Sequence, residues 1–133
     1  MRQDLSRNLK SGGFDLAYID GFVFAVPTAN KEKYREHSIK IDSTFKKYGA
    51  LQVIGAWGDD VPVGKMTDFY RAVKAKEDET IVFSWVFWPD KVTRDEGNKK
   101  CEAEFMAMDE DAMAMPFDGT RMIYGGFDVL VEL

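Results

Sequence analysis

Residues Tyr18 to Val26 (YIDGFVFAV) are apolar on both alternating sets of positions, broken only by Asp20. The run is rich in aromatic and β-branched residues, which predicts a strand buried on both faces, ended by Pro27. Thr28 or Asn30 then caps a helix over Lys31 to Tyr48. Within it Tyr34, His37, Ile41, Phe45 and Tyr48 recur at spacings of three and four and form one apolar stripe. Gly49 stops the helix, because glycine adopts a left-handed backbone without a Cβ penalty. Leu51 to Trp57 is a second strand, broken by Gly58-Asp59-Asp60 and Val61-Pro62. Val63 to Ala75 shows no clear period and reads as a loop or an irregular extended strip. Lys76 to Glu79 is a solvated turn. Thr80 to Trp88 (TIVFSWVFW) is the densest strand, with apolar groups on both sides.

Pro89 ends that strand and Asp90 caps a second helix over Lys91 to Met106. Val92, Cys101, Phe105 and Met108 mark its buried side. Gly97 costs it about 1 kcal/mol of propensity, a cost offset where glycine permits close packing on the sheet. Met106 to Met115 predicts a short extra helix, Pro116 to Gly119 a turn, and Met122 to Val131 a last strand containing Gly125-Gly126. The order, strand, helix, strand, strand, helix, strand, is the ferredoxin-like α+β arrangement, βαββαβ.

Two helices cover one face of a four-stranded sheet, and the other face should turn polar where it meets water. Neither alternation set of the first strand does so, nor does either set of the third, where Ile81, Phe83, Trp85 and Phe87 oppose Thr80, Val82, Ser84, Val86 and Trp88. The expected cure is a second copy, sheet against sheet about a twofold axis, with a pocket in the space between. A third helix from Met106 to Met115, laid over the open face, is the competing cure.

The chain has 133 residues with a formal net charge of −5, which fits one domain over residues 15–133. Residues 1–14 are polar and lack an apolar core, so they read as a flexible leader rather than a signal peptide. No apolar run reaches the length of a membrane helix, and a cytoplasmic protein is expected. The acidic balance argues against binding nucleic acid by general phosphate attraction. The single Cys excludes an internal disulfide and a thiolate metal cluster. No cofactor and no metal is expected.

Three stretches carry a resemblance: YIDGFVFAVP, WGDDVPVGKMTDFYRAVKAKEDETIVFSWVFWPDK and MPFDGTRMIYGGF. They resemble the DUF1428 family over about Tyr18 to the carboxyl terminus. The resemblance implies a dimeric α+β barrel, in which a ferredoxin-like protomer is doubled through its sheet. The wider superfamily holds haem-degrading and quinone-forming monooxygenases, chlorite dismutase relatives and muconolactone isomerase-like enzymes, beside members without known activity. Some family members are also linked to signal-recognition-particle RNA. The residues here do not support that RNA-associated alternative, since basic residues are mixed with acids and no aromatic platform is present.

Asp20, inside an apolar strand, needs a partner or a cavity, because an unpaired buried carboxylate is costly. It serves as an acid or base in a pocket, or pairs structurally with Arg71 or Arg121. His37 is a general base, an axial ligand, or a helix residue packed on the sheet. Trp57 to Asp60 caps a turn rather than holding a cation. Lys65, Asp68, Arg71 and Lys74 form a mixed-charge strip. Phe22, Trp57, Trp85 and Tyr124 are expected around the pocket, where aromatic rings stack on a flat molecule or simply fill the core. Cys101 reads as a buried, inert thiol. The expected protein is a homodimer that binds or transforms a small organic molecule. As an enzyme it would oxidise or isomerise an aromatic or enolisable compound, with Asp20 handling the proton, Arg71 or Arg121 holding a negative charge and Trp85 shaping the cavity. A non-catalytic ligand-binding or structural dimer is the alternative.

Overall fold

The computed structural model describes residues 17–133; the expected leader over residues 1–14 lies outside them. The chain forms β1 (Tyr18–Pro27), a 3-10 turn (Thr28–Asn30), α1 (Lys31–Lys47), β2 (Gln52–Trp57), α2 (Phe69–Ala72) and β3 (Glu79–Trp88). It continues through α3 (Lys91–Met106), α4 (Glu110–Met113), a second 3-10 turn (Gly119–Arg121) and β4 (Ile123–Asp128). The strands lie in the order β2-β3-β1-β4, with every pairing antiparallel. The expected βαββαβ order and its ferredoxin-like topology are present.

The dimeric α+β barrel is not. The sheet is open: β2 and β4 end it on opposite sides and do not pair with each other. Closing a barrel needs a continuous ladder of tilted, staggered strands, and four strands joined by three pairings leave two edges unpaired.

The long helices α1 and α3 cover one face. Phe24, Val26 and Val82 form one buried cluster there, packed on by Tyr34, Trp57 and Phe117. Tyr18, Ala50, Val86 and the fully buried Trp88 form a second, packed on by Phe45. Asp90 caps α3 as expected, its carboxylate accepting from Thr93 N at 2.7 Å. Gly49 ends α1 with φ +114°, in the left-handed region that glycine tolerates.

The connection from Val63 to Ala75, expected as a loop or an irregular extended strip, is a loop that contains α2. Asp68 caps that helical turn, accepting from the backbone N–H of Arg71 at 2.8 Å and of Gly64 at 3.1 Å. Arg71, itself exposed, ties the loop together by reaching the carbonyls of Gly64, Lys65 and Met66. Val73, 1% exposed, then packs with Ala25 and Ile81, and Phe69 meets Phe83 at 6.4 Å. This segment therefore covers part of the open face. The Met106 to Met115 stretch does not: Met113 borders Phe45, Cys101 and Phe105, and Met115 borders Phe22 and Phe24, all on the helix side. β4 is shorter than expected: its ladder with β1 runs to Asp128 opposite Tyr18, followed by one more backbone bond from Val129 N–H to the Ala17 carbonyl at 3.0 Å. Among the described residues no helix is long and apolar enough to cross a membrane.

Candidate functional site

A cavity of about 130 Å³ lies between α1 and the sheet. Helical spacing places Tyr34, Ser38, Ile41, Asp42 and Phe45 on the inner side of α1. Phe22 and Phe24 enter from β1, Ser84 and Val86 from β3, and Met115, Phe117 and Met122 from the segment leading into β4. Phe117 is the central wall. It stacks on Phe24 at 4.6 Å and meets Tyr34 at 6.0 Å and His37 at 6.5 Å edge to face.

One side of this apolar space is polar. Tyr34, Ser38 and Asp42 follow one another at steps of four residues, so one helical row carries a phenol, a hydroxyl and a carboxyl. The Ser38 hydroxyl donates to Asp42 Oδ2, between Tyr34 and Asp42 in the row. Asp42 has no ion-pair partner among the described residues. Lys46, one turn further on, donates instead to the Leu51 carbonyl at 2.9 Å. Across the cavity Ser84 is 7% exposed, and its hydroxyl makes no hydrogen bond within the described residues.

Burial raises the pKa of Asp42, opposed by the Ser38 hydrogen bond. Burial likewise raises Tyr34 above the usual phenol range. It lowers His37, with the nearby Lys40 charge acting in the same direction. The row thus offers both hydrogen-bond donors and acceptors to a molecule held against aromatic walls. β2 passes close by: a Cβ on Gly55 would stand 3.1 Å from the Tyr34 hydroxyl. Among the described residues no three His, Cys, Asp or Glu side chains are grouped to hold a metal.

A family described as a protein of unknown function, DUF1428, matches residues 17–119. The chain belongs to the DUF1428 family. It is similar to the proteins named Uncharacterized protein YbaA of Escherichia coli (strain K12), Escherichia coli O157:H7 and Shigella flexneri. With each it is 49% identical over 117 residues, covering 88% of this chain and 99% of the relative.

In this DUF1428 chain Asp20, Arg71 and Arg121 do not converge. Asp20 faces the helices, 6% exposed, and accepts from Arg94, from Trp88 Nε1 at 3.0 Å and from Asn98 at 3.4 Å. Arg71 pairs with Asp68 at 2.9 Å in its own loop. Arg121 pairs with Glu79 at 2.6 Å and Asp118 at 3.0 Å. Of the aromatics expected around a pocket between two sheets, Phe22 instead faces the helices and lines the cavity under α1. Trp57 stands outside it, beyond Tyr34, with Lys31 Nζ at 5.6 Å from its ring. Trp85 lies on the open face and donates to Gln52 Oε1 at 3.3 Å. Tyr124 stacks outside Phe22 at 6.3 Å. Ser38, Asp42 and Ser84 went unmarked in the sequence. For Ser38 and Asp42 the signal was the step of four from Tyr34, alongside the apolar stripe; for Ser84 it was a hydroxyl on the helix-facing set of an apolar strand.

Proposed function

We propose that this protein binds a small organic molecule, about the size of one aromatic ring, between α1 and the sheet. The carrying observation is the cavity of about 130 Å³, apolar on most sides with polar groups at one edge. An apolar cavity of roughly 150 Å³ holds benzene, so a single ring is the matching scale. Binding sites combine such walls with a few placed polar groups. Titration with benzyl alcohol, followed by backbone amide NMR, tests the reading. Shifts should concentrate at Phe22, Ser38, Ser84 and Phe117 and vanish in Ser84→Leu, which fills the space. Shifts that are absent, or that cluster on the opposite face of the sheet, refute it.

The open face favours a second reading, of assembly. Phe83 is 45% exposed, Ile123 46% and Phe127 61%. No charged side chain stands on this face between Ile19 and Ala25 or between Ile81 and Phe87, so nothing there repels an identical face. We propose a homodimer of two open sheets packed face to face, each keeping its edges at β2 and β4. Sedimentation velocity at micromolar concentration should give a dimer that Phe83→Lys converts to a monomer. A monomeric wild type ends this reading and leaves the cavity reading intact.

A further inference from the structure

We infer that the occupant of the cavity is a small primary amine, its ammonium held between the Asp42 carboxylate and the Ser84 hydroxyl. The inference rests on the cavity reading above and narrows it to a ligand class. Asp42 is a carboxyl at the edge of an apolar space with no cation against it. Ser38 donates to Oδ2 and no side chain among the described residues donates to Oδ1. The two cations best spaced along α1 are engaged elsewhere, Lys46 at the Leu51 carbonyl and Arg35 beside Glu32 at 3.8 Å.

Ser84 is the second observation. A buried hydroxyl without a partner costs stability unless something fills its acceptor or donor site. It comes from the sheet, Asp42 from the helix, and both border the same cavity. An ammonium donates three hydrogen bonds and accepts none, which suits a carboxylate and a hydroxyl oxygen. Phe22, Phe24 and Phe117 line the same space and shelter an apolar body. An anion would meet the Asp42 charge with no compensating cation. A neutral molecule would leave that charge unpaired.

Calorimetry with benzylamine and its neutral isostere benzyl alcohol tests this near neutral pH. Benzylamine should bind about tenfold tighter, the scale of one charge-assisted hydrogen bond. Asp42→Asn should remove that advantage, bringing the two affinities within about twofold of each other. Equal affinities in the wild type, or a preference unchanged in Asp42→Asn, overturn the amine inference while the cavity reading stands. Failure of both compounds to bind overturns the cavity reading and the inference with it. The wild-type comparison is decisive whether or not the variant folds.

Discussion

Asp20 on β1 and Arg94 on α3 meet in a two-pronged pair, with Nη2 2.8 Å from Oδ1 and Nε 3.2 Å from Oδ2. The side chains are 8% and 23% exposed, and Arg94 also lies over the Tyr18 ring at 5.0 Å. Removing Asp20 strands the buried Trp88 Nε1 and leaves Arg94 with Asp95 alone, at 2.9 Å. Asp20→Ala should therefore lose about 3 kcal/mol. Asp20→Asn keeps an acceptor for Trp88 Nε1 and should lose less. Urea unfolding of both variants checks this, and an Asp20→Ala midpoint close to wild type would contradict it.

Gly97 gives a prediction of opposite sign to helix propensity. Alanine in place of a helix-interior glycine ordinarily gains about 1 kcal/mol. Here a Cβ would stand 2.5 Å from Trp88 Cζ3 and 2.8 Å from the Tyr48 carbonyl oxygen. The Trp88 ring is fully buried, so it has no solvent to move into. Overpacking costs typically about 1–3 kcal/mol, so Gly97→Ala should lose about 1 kcal/mol net. A thermal melt showing a stabilised Gly97→Ala would refute this contact.

These two contacts show what can be read from a chain of this kind. The strands, both long helices and the caps at Asp90 and Gly49 follow from local spacing and backbone chemistry. The role of Gly97 follows too, since an unfavourable helix residue implies a packing reason. Arg94 as the partner of Asp20 does not follow: 74 residues separate them, and an exposed-looking helical arginine is indistinguishable from its neighbours in one dimension. The short α2 was illegible because four residues carry no period, and its stability comes from Asp68 capping and from Val73 on the sheet. Asp42 was hidden for a related reason. A carboxyl beside an apolar stripe reads as the solvated flank of a helix until the opposite wall, Phe117, is placed in space.

Cys101 should behave as an inert thiol until the protein opens. It is 1% exposed, its Sγ lies 3.7 Å from the Thr44 carbonyl, and burial pushes its pKa up to about 11. Only the thiolate reacts, and little of it exists near pH 8 in such a site. Reaction with an aromatic disulfide reagent at that pH should run at least about a hundredfold slower than for the unfolded chain. Adding urea should accelerate it in step with unfolding. Rapid labelling of the native protein would show that Cys101 is accessible.

Acid stability should depend on Arg121. The Arg121 guanidinium donates to both Glu79 oxygens, at 2.8 and 2.6 Å, and to the Lys74 carbonyl at 2.8 Å. It thereby ties the start of β3 and the end of the α2 segment to the approach into β4. The Arg121 hydrogen bonds hold Glu79 below the usual carboxylate range. Asp118 is lowered to about 2, first by the Thr120 hydroxyl and then by Arg121. Both carboxylates bind protons more weakly in the folded state than in the unfolded one. Their contribution is complete above the unfolded values near about pH 4 and is lost as pH falls through the folded values. Wild-type stability should therefore decline steeply between about pH 4 and about pH 2. Arg121→Gln should lower stability at neutral pH yet flatten that decline, because Glu79 then titrates closer to its unfolded value. Thr120 still lowers Asp118, so part of the slope should remain. Urea midpoints across this range, measured for both proteins, decide it; parallel curves below pH 4 would show that Arg121 does not set the acid limb.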